Sequence, residues 1–224
     1  MAKEKQKKNR LFSFKYFIYD FARWFLGWPC IIWFRVKKLY SSKEAKKHVK
    51  GPVLIACNHV GMQDPFVLHI AFWYRRIRFS ITKEFLKSKF SNWLFKSFLC
   101  FEIDRENTGF GALNAMGKEL QKGSAVIIFP EGHINLNKDS VDSFKSGTVL
   151  LAYRNNVPLQ LCYYQKASHW WKRTRIIIGE TINVRELCGE RPTMDKIKEV
   201  SNLMHEKEEE LRALYNLKTQ KKKK

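Results

Sequence analysis

The sequence predicts an α/β fold in which a mixed sheet is flanked by helices and preceded by an amphipathic two-helix hairpin. Short apolar runs predict the sheet, since Val53–Cys57 and Ala125–Phe129 have the length and continuity of buried strands. Segments with a helical spacing of apolar residues separate these runs, as in other α/β domains. A crowding of aromatic residues between positions 11 and 34 predicts the hairpin.

Length and charge indicate how the chain is organised. At 224 residues it suits one main domain, and its 45% of hydrophobic residues argue against disorder. The net charge is +21, of which residues 1–10 carry +4 and residues 218–224 carry +5. We therefore divide the chain into a basic arm (1–10), the hairpin (11–40), an α/β domain (41–217) and a basic tail (218–224). Because +12 remains on the body, we expect an anionic partner, either nucleic acid or a membrane surface.

The cysteines give no sign of a metal site or a disulfide framework. They lack CxxC or metal-like spacing, and three of them lie in apolar runs. The five are Cys30, Cys57, Cys100, Cys162 and Cys188. We therefore expect reduced cysteines in a protein that faces the cytosol, with no bound metal. No cleavable signal peptide is apparent, because the basic start continues into an aromatic stretch interrupted by charges.

The hairpin is expected to lie in the plane of a membrane surface. Its longest uncharged run, Trp24–Phe34, is far shorter than the roughly 20 residues that span a bilayer. On a helical wheel, Lys15, Asp20 and Arg23 share one arc, and aromatic residues occupy the opposite one. A second short helix, from Pro29 to about Leu39, would place cations near lipid phosphates. The residues expected to contact the membrane are Phe14, Phe17, Phe21, Trp24, Phe25, Trp28 and Trp33. The alternative is that the hairpin only packs on the domain.

A histidine and an aspartate with four residues between them mark the first candidate site. His59 and Asp64 follow the strand Val53–Cys57 on a turn that leads into a helix, and ligand crevices of α/β sheets form at the carboxyl ends of strands. A histidine accepts a proton near neutral pH, and a carboxylate can hold its ring in one tautomer. Gly61 lets the chain fold back so that the two side chains meet. The alternative is that Asp64 caps the helix and His59 is an ordinary loop histidine.

Two further strand ends carry polar residues. Arg105 ends the strand that begins at Cys100, where its guanidinium suits a phosphate or a surface ion pair. Glu131 and Gly132 follow the strand Ala125–Phe129, and backbone amides beside a glycine can approach an anion closely. We expect Glu131 to anchor a substrate or to orient a cationic partner, and the alternative is a plain turn.

Four ordered blocks of the sequence resemble those of the glycerolipid acyltransferase family, which includes the 1-acylglycerol-3-phosphate acyltransferases. The blocks are Asn58–Asp64, Phe101–Arg105, Phe129–Gly132 and Val157–Leu159, and further likenesses are Lys83–Leu86 and Phe144–Gly147. All four lie within residues 58–163, about half the chain.

The resemblance implies an acyl transfer that needs no metal or other cofactor. His59 would be the base that deprotonates the acceptor hydroxyl, and Asp64 would orient and stabilise it. The hydroxyl of lysophosphatidate would attack the thioester of acyl-CoA or acyl-carrier protein, giving phosphatidate, while Arg105 binds the acceptor's phosphate. The other substrate-binding residues that the resemblance implies are Asn58, Lys83, Glu131, Gly132 and Lys145.

The third block departs from the family pattern. The family continues with Ser or Thr and then Arg, whereas this chain continues with His133 and Ile134. The missing arginine leaves other acceptors open, such as lyso-ornithine lipid or another lysophospholipid. With lysophosphatidate as the acceptor we expect a step of phospholipid biosynthesis, and with each acceptor a peripheral protein at the cytoplasmic face of a membrane. A basic nucleic-acid-binding module is the remaining alternative, although no motif of such a module is present.

Overall fold

The computed structural model is an α/β fold and describes residues 16–25, 27–97, 99–103, 108–135, 141–165, 167 and 172–220. The strands are β1 (Lys37–Tyr40), β2 (Val53–Cys57), β3 (Ile77–Thr82), β4 (Cys100–Ile103), β5 (Ala125–Ile128), β6 (Leu159–Gln165) and β7 (Arg175–Ile182). The helices are α1 (Phe17–Phe25), α2 (Gly27–Phe34), α3 (Asp64–Ala71), α4 (Lys89–Ser97), α5 (Thr108–Gln121), α6 (Ser146–Asn155), α7 (Val184–Cys188) and α8 (Met194–Gln220). Glu44–Lys46 and Lys83–Leu86 form short 3₁₀ helices.

The seven strands form one mixed sheet in the order β1-β7-β6-β2-β5-β3-β4. β6 and β7 pair antiparallel, and the other neighbours in this order pair parallel. The predicted mixed sheet flanked by helices is therefore confirmed. Because β2, β5, β3 and β4 run in the same direction, their carboxyl ends meet at one edge of the sheet. We call this the carboxyl edge.

The strand β2 is buried on both of its faces. Val53, Ile55 and Cys57 belong to a core shared with α3, whereas Leu54 and Ala56 belong to a second core shared with α5, α6 and α8. This two-sided burial explains the unbroken apolar run in the sequence, since both faces of a parallel strand in an α/β sheet are covered. The turn that follows β2 is therefore anchored by one of the most buried elements of the fold.

The chain between the hairpin and the domain differs from the prediction. The second helix ends at Phe34, so the prediction that it continues to about Leu39 is wrong. Arg35 adopts a left-handed conformation (φ 44°), which ends the helix. Lys37–Tyr40 instead forms an edge strand parallel to β7, and Leu39 and Tyr40 pack against opposite cores. Burial of alternating apolar side chains outweighs the helical pattern here.

The C-terminal half supplies two strands of the sheet. β7 continues to Ile182, and the short helix α7 follows it. Pro158 is tolerated because it precedes β6, which lies inside the sheet between β7 and β2. The Pro158 carbonyl accepts a hydrogen bond from the Leu54 amide at 3.0 Å, so the proline begins the pairing rather than interrupting it.

The hairpin is attached to the domain through its polar side. Asp20 on α1 is 1% exposed and forms a two-pronged ion pair with Arg76. Its Oδ2 lies 2.6 Å from Nη2, and its Oδ1 lies 3.1 Å from Nε. Tyr19 is buried beside it. The arc of α1 that contains Asp20 therefore faces the protein, and the aromatic arc faces outward.

The outward arc presents a surface of large aromatic side chains. The exposed ones, which we call the hairpin surface, are Phe17, Phe21, Trp24, Phe25, Trp28 and Trp33, at 46% to 69% exposure. Phe14 lies outside the described residues. Phe34 of α2 stacks on Phe66 of α3, with ring centroids 5.9 Å apart, and so connects the hairpin to the helix that follows the His59 turn. Among the described residues, each helix is too short or too polar to cross a bilayer.

The ion pair between Asp20 and Arg76 generates a prediction about hairpin attachment. Asp20→Asn should weaken docking of α1 by about 3 kcal/mol, because the guanidinium loses its buried charge partner. Amide hydrogen exchange would show faster exchange in α1 with unchanged rates in α8. The matched control is Glu199→Gln, which breaks the exposed pair with Lys196 and should change little. Unchanged exchange in α1 of the Asp20 variant would contradict the attachment described here.

Candidate active site

Two turns meet at the carboxyl edge of the sheet. One follows β2 and begins with Asn58, and the other follows β5 and begins with Phe129. The strands are parallel neighbours, so the turns emerge side by side. The His59 ring stacks on the Phe129 ring at a centroid distance of 4.1 Å and an angle of 13°. The backbone amide of Asn135 donates to the His59 carbonyl at 2.8 Å, which joins the two turns.

The predicted pair of His59 and Asp64 is formed. His59 Nδ1 lies 2.6 Å from Asp64 Oδ2, and the Val60 amide donates to the same oxygen at 2.9 Å. The Asp64 side chain is 0% exposed, whereas that of His59 is 21% exposed. Gly61 has φ +152° with no atom near the position of a Cβ. The backbone of this reversing turn, rather than lack of space, therefore favours glycine there.

The alternative in which Asp64 caps its helix does not match the structure. The N-cap of α3 is Gln63, and Asp64 is the first residue of the helix. Its carboxylate turns back to His59 and Val60 instead. A carboxylate at Nδ1 favours the tautomer that carries its proton on that nitrogen, which leaves the lone pair on Nε2. The arrangement can therefore take a proton from a hydroxyl placed at Nε2.

Tyr164 is a third member of this group that the sequence analysis missed. It lies on β6, is fully buried, and its hydroxyl donates a hydrogen bond to Asp64 Oδ1. Burial, together with the charge of Asp64, raises the pKa of Tyr164, so the phenol remains a donor. The only local signal was a tyrosine near the carboxyl end of a predicted strand, and its partner lies 100 residues away.

Asn58, directly after β2 and before His59, connects β2 to β6. Its side-chain Nδ2 donates to the Tyr164 carbonyl at 2.9 Å, and its Oδ1 accepts from the Tyr164 amide at 3.0 Å. The residue is 8% exposed. The amide group, which the resemblance assigned to substrate, therefore extends the pairing of the two strands by a side-chain bridge. This bridge fixes Tyr164 relative to the His59 turn.

The second turn contains a buried carboxyl group. Glu131 is 1% exposed, and burial raises its pKa. The Asn135 side chain and the backbone amides of His59 and Asp142 lie near enough to lower that pKa in part. None of these contacts has the distance and angles of a hydrogen bond to a carboxylate oxygen of Glu131. Glu131 is thus a buried polar group on the turn that lies beside the His59 turn.

A second buried carboxyl group, Glu208, comes from the C-terminal helix α8. It is 0% exposed, and burial followed by the charge of Glu131 raises its pKa well above the usual range. The backbone amide of Asn58 opposes this shift. The long C-terminal helix therefore places a carboxyl group close to Glu131 and to the backbone of Asn58. The periodicity of the helix in the sequence could not reveal this contact.

Gly132 and Lys145 lie against each other. Gly132 has φ +75°, and a Cβ there would lie 2.2 Å from Lys145 Nζ, so a larger residue would displace the lysine. The Lys145 amide donates to the Pro130 carbonyl at 3.1 Å. Lys145 precedes α6 and is exposed. The turn after β5 thus carries a cation beside a conformation that favours glycine.

His133 forms a second histidine–aspartate pair near the first. Its Nε2 lies 2.7 Å from Asp142 Oδ2, and its Nδ1 lies 3.1 Å from the Glu131 carbonyl oxygen. Both side chains are largely exposed, at 59% and 42%. In the part of the chain that the structure describes, metal-ligand atoms of Glu131, His133 and Asp142 lie within 4.8 Å of one another. A metal there would have to replace the hydrogen bond between His133 and Asp142.

Two predicted substrate-binding residues remain, Arg105 and Lys83. Arg105 lies outside the described residues. Lys83 begins the 3₁₀ helix directly after β3, at the carboxyl edge that also carries the His59 turn.

The bond from Tyr164 to Asp64 generates a stability prediction. Tyr164→Phe should lower the free energy of unfolding by about 1.5–3 kcal/mol, because a buried carboxylate loses a hydrogen bond. The matched control is Tyr163→Phe, where the lost partner is the neutral Gln165 amide and a loss of about 0.5–1.5 kcal/mol is expected. Urea unfolding measures both, and a smaller loss at Tyr164 than at Tyr163 would contradict the assignment.

Comparison with known proteins places this site in a family. The model of a family described as Acyltransferase matches residues 36–165, which is more than half the chain. The match contains His59, Asp64, Glu131, Lys145 and Tyr164.

Two individual proteins are similar. One is named as a probable 1-acyl-sn-glycerol-3-phosphate acyltransferase of Mycoplasma genitalium, and it is 34% identical over 117 residues. The match covers 49% of this chain and 42% of that protein, so it spans less than half of the relative. The other is a solved structure, the 1-acyl-sn-glycerophosphate (LPA) acyltransferase PlsC from Thermotoga maritima. It matches with a TM-score of 0.60 and 18% identity, over 84% of this chain and 76% of that chain, and it supports the fold. With its family match and the four blocks in order, the chain belongs to the acyltransferase family.

Proposed function

We propose that the protein is a membrane-associated O-acyltransferase that moves an acyl chain from acyl-CoA or acyl-carrier protein to the free hydroxyl of lysophosphatidate. The product is phosphatidate, so the reaction is a step of phospholipid biosynthesis. One observation carries the proposal: a buried carboxylate binds His59 at Nδ1 and leaves Nε2 for a substrate at the carboxyl edge. The family match and the Mycoplasma genitalium relative support the reaction class.

The proposed reaction needs one proton carrier. His59 accepts the hydroxyl proton at Nε2 while the hydroxyl oxygen attacks the thioester carbonyl carbon, giving a tetrahedral intermediate. Asp64 stabilises the imidazolium that results, because its charge is held beside the ring. The carbon–sulfur bond then breaks, the carbonyl re-forms, and the imidazolium returns its proton to the leaving thiolate. A thioester is already activated, so these steps involve no acyl-enzyme, metal or other cofactor.

The acceptor is proposed to bind across the turns of the carboxyl edge. Lys145 after the second turn, Lys83 after β3 and Arg105 beyond β4 are cations suited to its phosphate. Glu131 and Gly132 lie on the turn beside His59 and are proposed to hold the polar end of the acceptor. For Asn58 we propose a positioning role, since both ends of its amide are bonded to Tyr164.

Membrane association is part of the proposal, because a long acyl chain must be handled at or beside a bilayer. Its support is the hairpin surface of exposed aromatic side chains, together with the net charge of +21. Aromatic rings are favoured at the headgroup level, and cations are attracted to the anionic cytoplasmic leaflet. We therefore propose a peripheral protein at the cytoplasmic face of the membrane.

A second candidate acceptor is favoured by His133. It occupies the position where the family usually has Ser or Thr before an arginine, and it is paired with Asp142 at 2.7 Å. The alternative is the same chemistry on another acceptor, such as lyso-ornithine lipid or another lysophospholipid. A panel of acceptors with one acyl-CoA separates the two. The family match gives no support to the nucleic-acid-binding alternative.

Substitution of the two histidines tests the proposal. His59→Ala should reduce acyl transfer by about 10²–10⁴-fold, the contribution typical of a general base, while vesicle binding persists. The measurement is transfer of a labelled acyl group from acyl-CoA to lysophosphatidate.

His133→Ala is the matched control, because it removes the exposed histidine of the neighbouring pair. Its effect should be far smaller than that of the His59 variant. Near wild-type transfer by His59→Ala would remove His59 from its proposed role.

A further inference from the structure

A second group of aromatic side chains is exposed far along the chain from the hairpin. Phe85, Phe90 and Trp93 are 49%, 69% and 51% exposed. They lie on the 3₁₀ helix after β3 and on α4. We call these three residues the α4 patch.

The α4 patch is an ordered surface. Ser88 Oγ accepts a hydrogen bond from the Ser91 amide at 3.0 Å, and the Ser88 carbonyl accepts from the Asn92 amide at 3.0 Å. These bonds begin α4 in the manner of an N-cap. The rings of Phe90 and Trp93 lie 6.1 Å apart. Phe90 and Trp93 are therefore presented together by a capped helix while they remain in contact with solvent.

The topology places the α4 patch at the carboxyl edge. The 3₁₀ helix starts directly after Thr82, where β3 ends. β3 pairs parallel with β5, which pairs parallel with β2, so the chain leaves β3 at the edge that carries the His59 turn. Neighbouring strands are about 5 Å apart, and one strand separates β2 from β3. The patch and the proposed catalytic pair therefore share one side of the sheet.

The His59 turn itself exposes apolar residues at this edge. Met62, between His59 and Asp64, is 73% exposed. Phe66, on the first turn of α3, is 50% exposed and stacks on Phe34 of the hairpin. Exposed apolar side chains thus occur on the hairpin, on the catalytic turn and on α4.

We infer that the α4 patch is a second membrane-contacting surface, which inserts its rings at the headgroup level of an anionic bilayer. The inference rests on the proposed function as a membrane-associated enzyme and adds the side of the protein that meets the lipid. Contact through the α4 patch turns the carboxyl edge toward the bilayer. The proposed acceptor site then opens at the level where a lysolipid presents its headgroup.

Charge favours a lipid surface as the occupant. Lys87 and Lys89 are exposed and lie between Phe85 and Phe90 in the sequence. Cations interleaved with aromatic rings match an anionic bilayer, where the rings enter the interface and the ammonium groups remain among the phosphates. The core of a protein–protein interface is instead depleted of lysine.

Two membrane-contacting surfaces on one chain act as a bivalent binder. Once the hairpin surface is bound, the α4 patch meets the same bilayer at a high effective concentration. Loss of either surface should therefore weaken vesicle binding strongly without abolishing it. Removal of the patch should leave catalysis intact when the substrates are presented in solution.

The test compares the Phe85→Ala, Phe90→Ala, Trp93→Ala triple variant with a matched triple variant, Leu187→Ala, Met194→Ala, Leu217→Ala. The control removes exposed apolar residues from α7 and α8. The probe is sedimentation with vesicles of phosphatidylcholine and phosphatidylglycerol. We expect the patch variant to bind about tenfold more weakly or worse, a loss of about 1.4 kcal/mol, and the control to bind like the wild type.

Two further measurements distinguish this inference from failure of the proposed function. Acyl transfer to a short-chain, water-soluble lysophosphatidate should be the same in the patch variant and the wild type. If the wild type lacked this activity, the proposed function would be refuted, and vesicle binding would still test whether the α4 patch contacts the membrane. The single variant Phe90→Ser, at the most exposed ring, repeats the comparison should the triple variant not fold.

Three results would overturn the inference. The first is unchanged vesicle binding by the folded patch variant. The second is an equal loss in the control variant, since that would show a general effect of surface hydrophobicity. The third is that the wild type self-associates and the patch variant does not, while both bind vesicles equally. A second copy of the chain, rather than lipid, would then cover the patch.

Discussion

The site depends on a single buried carboxylate. Asp64 is 0% exposed, and its two oxygens are bonded to His59, to the Val60 amide and to the Tyr164 hydroxyl. A buried charge is costly unless it is fully hydrogen-bonded. The turn after β2, the start of α3 and the end of β6 must therefore all be in place before the carboxylate is stabilised. Asp64 can orient the imidazole of His59 only when these parts of the fold are in place. The Asn58 bridge contributes by joining β2 to β6.

The hairpin reverses the usual orientation of a surface helix. The side of α1 that carries Asp20 is turned inward by its ion pair with Arg76, while Phe17, Phe21, Trp24 and Phe25 are left in solvent. A soluble domain normally buries such an arc, so large exposed aromatic surfaces indicate an interaction site. The α4 patch has the same character and begins at the edge that holds the His59 turn. The proposed chemistry and the lipid contact proposed for the α4 patch would thus share the carboxyl edge.

The features predicted correctly from the sequence are those set by short-range patterns. The pairing of His59 with Asp64 depends on six consecutive positions and one reversing turn, so spacing sufficed to find it. The buried strands β2 and β5 stand out because both of their faces are covered. Tyr164 and Glu208 were missed because they reach the site only through the strand order and the path of α8, and periodicity specifies neither.

The errors have equally local causes. The sequence predicts a helix to about Leu39, yet Lys37–Tyr40 forms an edge strand, for which four residues suffice. The wheel grouped Asp20 with Lys15 and Arg23 but could not show that a partner on another element turns the Asp20 side chain inward. In both cases a contact with a distant part of the chain decides the structure of a short segment. Resemblance to the family supplied the roles of the strand ends, which no periodicity could have given.

The tautomer of the His59 ring shows directly whether Asp64 holds the proton on Nδ1 and leaves Nε2 free to act as the base. Long-range ¹⁵N–¹H correlation spectra of the uniformly ¹⁵N-labelled protein, recorded above the titration of the ring, distinguish the two neutral tautomers. We expect His59 to carry its proton on Nδ1, which donates to Asp64, and this preference to weaken in Asp64→Asn. A neutral His59 protonated on Nε2 in the wild type would contradict it, because the ring would then have no lone pair to offer the acceptor hydroxyl.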